Sequence, residues 1–259
     1  MIIQQICCRQ RRAAATPHVD PSGPAVRPAA RHAAGIVFEV SGTLYDDTCW
    51  WRWMTQLVSH MGVHVEFEDF YCGWEAEFAD DVCRGRDEFW HALRTYLLSC
   101  GLSRGLCDEI LVAGHARHRH LEQGVRPFAG VRETLAKLHA QPIEMVAVCN
   151  SPCSTTQLAA KLNAMGLGAH FDSTVSSLDL GYAMPATAFF QIVLAQNNLS
   201  ADKAVFVSSQ GSHLVAAKQA GMATIAFNHR CAVDADSCLD RFTDILDAVR
   251  CDEVRSMAA

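Results

Sequence analysis

Hydrophobic residues along this chain form short runs that alternate with segments of helical periodicity. Residues 35–40 are apolar except for Glu39, as expected of a strand buried on both faces of a sheet. Similar runs lie at 143–149, 171–176, 204–208 and 223–227, and helical segments lie at 130–140, 154–166, 186–197 and 212–220. Gly221 is predicted to end the last of these helices. Repeated strand–helix units predict an α/β fold, a parallel sheet with helices on both faces.

One long segment interrupts this alternation. Residues 48–124 carry few strand signals, and their aromatic and aliphatic residues recur at helical spacing. We predict four helices, the first starting near residue 48 and the others lying near 66–80, 86–99 and 103–122. The predicted organisation is therefore a core domain formed by residues 35–47 and 125–259, with a helical domain at 48–124 inserted after the first strand.

Residues 1–34 differ in composition from the rest of the chain. Five arginines against one acidic residue, Asp20, give them a formal charge of +4, which leaves −10 for the remainder of a chain whose total is −6. Four prolines and many alanines accompany these arginines. This composition predicts a disordered basic tail, and an organelle-targeting leader of similar composition is the alternative.

Composition and charge exclude several classes of function. Half of the residues are hydrophobic and 19% are charged, so the chain has enough apolar residues for a sizeable core. A net charge of −6 argues against a nucleic-acid partner. The absence of an apolar run of roughly 18 residues argues against a membrane span. The 12 cysteines form no CxxC pair, which favours reduced thiols in a cytoplasmic protein.

Four segments at predicted strand or helix ends carry recognisable motifs. Residues 38–46 read FEVSGTLYD, 148–152 read VCNSP, 181–185 read GYAMP and 205–210 read VFVSSQ. In this order and spacing they resemble the four motifs of the haloacid dehalogenase superfamily, and the Ser-Ser-Gln triplet is similar to its 2-haloacid dehalogenase branch. The resemblance implies a Rossmann-like core with a helical cap after the first strand, and a hydrolase acting on phosphate esters or haloacids.

The resemblance also implies catalytic groups that this chain has replaced. Glu39 stands for the nucleophilic aspartate, and its extra methylene moves the carboxylate by about 1.5 Å, where about 1 Å already costs roughly a hundredfold in rate. Ser41 stands for the general acid, Met184 for the anchoring lysine, and Ser209 and His213 for the fourth-motif acids. Magnesium requires hard oxygen ligands, which are largely missing here, so we predict no cofactor and no metal site.

Other polar residues of the motifs are retained. We expect them to line a pocket for a small anionic molecule at the carboxyl ends of the strands, together with backbone amides at helix N-termini. These residues are Thr43, Asn150, Ser151, Ser208, Ser209 and Gln210. Cys149 replaces the hydroxyl residue of the second motif and is a weaker hydrogen-bond donor.

Two functions are compatible with these residues. The first is a haloacid dehalogenase-like protein that is non-catalytic or strongly impaired and serves in binding or interaction with an unidentified partner protein. In this case Glu39 is a structural carboxylate bonded to loop amides. The alternative is an active hydrolase of small organic acids or phosphate esters, in which Glu39, Ser41 or Ser209 reacts with His213 as the base. A histidine that begins a helix is more often an ordinary surface residue, which favours the first function.

Overall fold

The computed structural model describes residues 33–229 and 233–249. The tail predicted for residues 1–34 therefore lies almost entirely outside the described residues. The described chain divides into two compact units. Residues 47–124 form one of them, here called the helical unit, and the remaining described residues form the sheet unit.

The helical unit is built from α-helices around a core of its own. Buried aromatic and aliphatic side chains, among them Trp50, Met54, Phe70 and Trp74, form this core. The helices are α1 (Cys49–His60), α2 (Phe67–Glu77), α3 (Ala79–Cys83), α4 (Phe89–Ser99) and α5 (Arg104–Gly124).

The single helix predicted for residues 66–80 is interrupted. The backbone of Phe78 leaves helical geometry at φ −125° and ψ −33°, and this separates α2 from α3. The Phe78 ring stacks on Trp74, with ring centroids 5.7 Å apart. The break therefore coincides with aromatic packing of Phe78. The helical periodicity of the sequence alone does not reveal this break.

The sheet unit contains a six-stranded sheet whose strand pairs are all parallel. The spatial order is β3-β2-β1-β4-β5-β6, which places β1 in the middle. The strands are β1 (Gly35–Glu39), β2 (Glu144–Cys149), β3 (Ser173–Ser176), β4 (Ala204–Ser208), β5 (Ala223–Phe227) and β6 (Ser237–Leu239). The prediction of a Rossmann-like parallel α/β core is confirmed.

Helices cover both faces of this sheet. Phe38 points to the face that packs on α6, α7 and α11, and Val37 points to the face that packs on α9 and α10. This alternation explains why β1 is apolar on both sides. The helices are α6 (Val131–His139), α7 (Thr155–Ala164), α8 (Ser177–Leu180), α9 (Thr187–Gln196), α10 (Gly211–Gln219) and α11 (Ile245–Ala248).

Backbone contacts inside the sheet unit join the two ends between which the helical unit is inserted. Tyr45 forms an isolated antiparallel bridge with Pro127, and the Phe128 amide donates to the Leu44 carbonyl at 2.9 Å. The chain therefore leaves and re-enters the sheet unit at neighbouring positions. Among residues 33–229 and 233–249, no helix combines the length and the apolarity needed to cross a bilayer.

Candidate functional site

Polar side chains collect at the carboxyl end of the sheet, where β1, β2 and β4 finish side by side. The chain proceeds from β1 to β2 on one side and returns to β4 on the other, so the strand order reverses between β1 and β4. Ligand sites of open α/β sheets lie at this reversal. Glu39 ends β1 and Ser208 ends β4, which places both residues there.

The Glu39 carboxylate is buried, with 3% of the residue exposed, and both of its oxygens have side-chain partners. Oε1 lies 3.0 Å from His213 Nδ1, and Oε2 accepts a hydrogen bond from the Ser208 hydroxyl. These partners differ from the loop amides expected from the sequence. An ionised carboxylate can remain in such a site only when charged or polar groups compensate for the lost water.

His213 reaches Glu39 because α10 begins directly after β4. The helix starts at Gly211, so residue 213 lies in its first turn, close to the carboxyl end of the sheet. Its side chain is only 13% exposed. The sequence favoured an ordinary surface histidine, and the structure instead brings this ring into hydrogen-bond distance of the residue in the nucleophile's position.

Backbone amides of the turn between β4 and α10 donate hydrogen bonds to side chains of the protein itself. The Ser209 amide donates to Thr43 Oγ1 at 3.1 Å, and the Gln210 amide donates to Ser208 Oγ at 2.8 Å. Thr43 is fully buried, while Gln210 is exposed. The amides of Ser209 and Gln210, which were expected to line an anion pocket, are thus engaged by side chains of the same motifs.

Asn150 makes two hydrogen bonds with the backbone of Met184, the residue that stands where the family has its lysine. Its side-chain amide donates to the Met184 carbonyl at 2.7 Å, and its carbonyl oxygen accepts from the Met184 amide at 2.9 Å. Met184 is 2% exposed and packs in the core between the sheet and helices α9 and α10. The retained asparagine therefore has a structural role in this chain, and the methionine that replaces lysine is a core residue.

Ser151 also has partners within the loop. Its amide donates to Ser177 Oγ at 3.1 Å, and its hydroxyl lies 2.8 Å from Cys153 Sγ. The contact with Ser177 connects the loop after β2 to the start of α8, and the contact with Cys153 lies within that loop. Ser151 therefore helps to shape the loop that follows the second motif.

A second group of polar side chains lies beside β1 and β2. Ser41 Oγ is 3.4 Å from Tyr45 Oη and 3.3 Å from Cys149 Sγ, and the Lys161 ammonium lies 4.6 Å from the centre of the Tyr45 ring. Burial raises the pKa of Tyr45 to about 12 and that of Cys149 to about 12, and in both cases the Lys161 charge opposes this effect. Both side chains are therefore protonated at neutral pH.

Sequence reasoning singled out Ser41 and Cys149 but not Tyr45 or Lys161. Tyr45 lies within the first motif segment, residues 38–46, and its position there was the available signal. Lys161 lies on α7 outside every motif, so its proximity to Tyr45 depends on how that helix packs on the sheet.

The residues at the motif positions do not fit a magnesium ion. The carboxylate oxygens of Glu39 face His213 and Ser208, and Ser41 and Ser209 bring no second carboxylate. Within the part of the chain that the structure describes, no three His, Cys, Asp or Glu side chains form a group that could hold a metal. Magnesium needs several hard oxygen ligands in an octahedron, which this arrangement does not offer.

The parallel strand order, with helices on both faces of the sheet, defines a Rossmann-like α/β protein. Residues 107–227 match the family model of haloacid dehalogenase-like hydrolases. The chain is 31% identical over 203 residues to a phosphoglycolate phosphatase of Pseudomonas syringae pv. syringae, covering 75% of this chain and 69% of that protein. It therefore belongs to the haloacid dehalogenase-like hydrolase family.

Solved structures share the fold of this chain. A structure described as a predicted phosphoglycolate phosphatase from Haemophilus somnus is 18% identical, covers 84% of this chain and 98% of its own, and gives a TM-score of 0.64. A 2-haloacid dehalogenase from Pseudomonas syringae pv. Tomato is 21% identical, covers 83% and 97%, and gives a TM-score of 0.57. At these identities the likeness concerns the fold.

Proposed function

We propose that this chain has lost efficient hydrolysis and retains a role in binding a small anion. The observation that carries the proposal is the environment of Glu39, which stands in the nucleophile's position. Ser208 engages one of its oxygens and His213 the other, in a site nearly closed to water. An oxygen held in this way is a poor nucleophile, because attack on a substrate requires it to give up a hydrogen bond.

The other catalytic positions support the same proposal. The Ser41 hydroxyl, which replaces the general acid, lies against Tyr45 and Cys149. Met184, which replaces the anchoring lysine, is buried in the core. A general acid contributes about 10²–10⁴ in rate, and a nucleophile misplaced by about 1 Å costs about 10². Together these losses amount to at least about 10⁴-fold.

A rewired hydrolase is the second candidate, and the contact between Glu39 and His213 favours it. A carboxylate that accepts from Nδ1 orients the imidazole so that Nε2 serves as the base, as in carboxylate–histidine–serine hydrolases. The 3.0 Å distance meets this requirement. Ser41, one of the expected nucleophiles, lies beside Tyr45 and Cys149, and a buried methionine replaces the anchoring lysine, so we place the binding role first.

A turnover assay on the purified full-length protein separates the two functions. The substrates are 2-phosphoglycolate, p-nitrophenyl phosphate and 2-chloropropionate, each with and without magnesium. The proposal expects turnover of each substrate to be at least about 10⁴-fold slower than that of an active phosphoglycolate phosphatase or 2-haloacid dehalogenase assayed in parallel. Relatives named phosphoglycolate phosphatase and structures named 2-haloacid dehalogenase motivate this choice of substrates.

Variants identify the origin of any activity that is found. Efficient turnover that Glu39→Gln and His213→Ala abolish, and that Glu133→Gln leaves intact, contradicts the proposal and supports the rewired hydrolase. Glu133 is a suitable control because it is an exposed glutamate on α6. Turnover that none of these variants changes does not come from this site.

A further inference from the structure

Two cysteines lie on the chain segment where β2 ends and α7 begins. Cys149 is the last residue of β2, and Cys153 directly precedes the N-cap residue of α7. Cys149 is 2% exposed, whereas Cys153 is half-buried. Both sulfurs have hydroxyl partners, because Cys149 Sγ lies 3.3 Å from Ser41 Oγ and Cys153 Sγ lies 2.8 Å from Ser151 Oγ.

Ser176 of β3 contacts the backbone of one cysteine and is the strand neighbour of the other. In the parallel pairing of β2 with β3, Cys149 stands opposite Ser176, so their side chains point to the same face of the sheet and the two strands lie about 4.8 Å apart. The Ser176 hydroxyl donates to the Cys153 carbonyl at 2.5 Å. The backbone of Cys153 is therefore folded back onto the face of the sheet to which Cys149 points.

The two cysteines also pack in the same core. Cys149 belongs to the cluster of buried side chains between the sheet and helices α6, α7 and α11, and Cys153 packs against that cluster. Burial is the main cause of the raised pKa of Cys149, and the electrostatic influence of Cys153 is the next largest cause. A disulfide requires two Cα atoms within about 7 Å of each other and side chains that face the same space. The shared strand neighbour, sheet face and core supply these conditions.

We infer that Cys149 and Cys153 form a redox-modification site, at which hydrogen peroxide converts the two thiols to a disulfide. Cys153 is the more exposed and reacts first: its sulfur attacks a peroxide oxygen, the O–O bond breaks, and a sulfenic acid and one water form. The Cys149 sulfur then attacks the Cys153 sulfur, so that an S–S bond forms and the sulfenic oxygen leaves as a second water. Two thiols are oxidised and one peroxide is reduced.

The disulfide changes the contacts of the loop after β2. Both sulfurs lose their protons when the bond forms, so neither can donate a hydrogen bond to Ser41 or Ser151 any longer. Oxidation therefore alters the segment between β2 and α7 together with the surroundings of Ser41. Nothing in this reaction requires hydrolysis or anion binding, so the redox site is independent of the proposed function.

Peptide mapping of the full-length protein tests the redox site. Residues 138–161 lie between Lys137 and Lys161 without another lysine or arginine, so trypsin releases one peptide that contains these two cysteines and no others. The protein is treated with hydrogen peroxide at about pH 8, where more of the Cys149 thiol is ionised than at neutral pH, and is then denatured and alkylated. We expect most of this peptide to carry no alkyl group and to be lighter than the dithiol by two hydrogen atoms. Dithiothreitol is expected to restore alkylation of both cysteines.

Three variants assign the reaction to this pair. Cys153→Ser is expected to abolish the bond and to leave Cys149 open to alkylation. In Cys149→Ser the reaction stops at the sulfenic acid of Cys153, which dimedone traps. Cys238→Ser removes an exposed thiol of the sheet unit and is expected to leave the bond unchanged. Should Cys149→Ser fail to fold, the peptide maps of the wild type and of Cys153→Ser are sufficient.

Two results overturn the redox site. One is alkylation of both cysteines in the peroxide-treated wild type, and the other is sulfinic acid on Cys153 with no bond to Cys149. Neither result bears on hydrolysis. Turnover that depends on Glu39, in contrast, overturns the proposed function and leaves the measured disulfide unaffected.

Discussion

Glu39 and His213 form a pair whose members depend on each other, because little water reaches either side chain. Leaving a buried carboxylate without one of its hydrogen-bond partners costs about 1–3 kcal/mol, and more when the group is charged, because water does not replace the lost partner. We therefore expect His213→Ala to lower the free energy of unfolding by about 3 kcal/mol, measured by urea denaturation. Adding Glu39→Gln to His213→Ala should recover part of this loss, because the uncompensated charge is then gone.

An exposed pair of the same chemistry provides the control. His91 Nδ1 lies 2.8 Å from the Asp87 carboxylate in the helical unit, and the His91 side chain is 69% exposed. Exposed pairs contribute about 0–1 kcal/mol, so His91→Ala should have a small effect. Equal losses for His213→Ala and His91→Ala would contradict the interpretation of Glu39 as a buried charge that His213 compensates.

The sequence indicates only part of this site, for reasons that differ from residue to residue. Glu39 and Ser208 end apolar runs, so their place at the sheet edge follows from the strand pattern. The contact of His213 with Glu39 depends on the exact residue at which α10 begins. The position of Lys161 depends on the packing of α7, which no local pattern records.

Helix α7 matters to the site because it carries Lys161, and a capping box fixes its start. Ser154 Oγ accepts from the Gln157 amide, and the Gln157 side chain accepts from the Ser154 amide at 2.8 Å. Loss of an N-cap side chain costs about 0.5–2 kcal/mol. We expect Ser154→Ala to lower the free energy of unfolding by about 1 kcal/mol in urea denaturation.

A double-mutant cycle tests whether the two residues act together. Because each side chain bonds the backbone of the other residue, the effects of Ser154→Ala and Gln157→Ala should not be additive. Additive losses in the free energy of unfolding would show that the two residues of the capping box do not act as a unit. Gln191→Ala, at an exposed position of α9, should have little effect and serves as the control.

Elements with a strong local pattern were predicted, and elements that depend on the surrounding structure were not. β4 and β5 match their predicted bounds, because strands buried on both faces appear as continuous apolar runs. β6 has only three residues, with an exposed residue between two buried ones, and α11 has one turn. Such short elements at the edge of a sheet exist through packing on their neighbours and leave little signal in the sequence.

Across the whole molecule, each unit buries groups that ionise at alkaline pH. In the sheet unit burial raises the pKa of Cys149 and of Tyr45 to about 12. In the helical unit burial raises the pKa of Cys100 to about 11 and raises that of Tyr96 as well. The same physical cause, the cost of a charge in a site without water, therefore acts in both units.

These raised pKa values determine how stability depends on pH. As pH rises above about 9, the unfolded chain releases protons from its cysteines and tyrosines while the folded protein keeps them. The unfolded state then binds fewer protons, so the free energy of unfolding falls with pH. We expect full stability from these groups below about pH 9 and a progressive loss up to about pH 12, measured by urea denaturation at a series of pH values.

Substitution of single cysteines assigns this loss to burial. Cys149→Ala removes a buried titrating thiol and should make the fall in stability above pH 9 less steep. The absolute stability of Cys149→Ala is less informative, because the variant also loses packing volume and the contact with Ser41. The slope depends only on protons bound, so equal slopes for wild type and Cys149→Ala would mean that this thiol ionises in the folded protein as easily as in the unfolded chain.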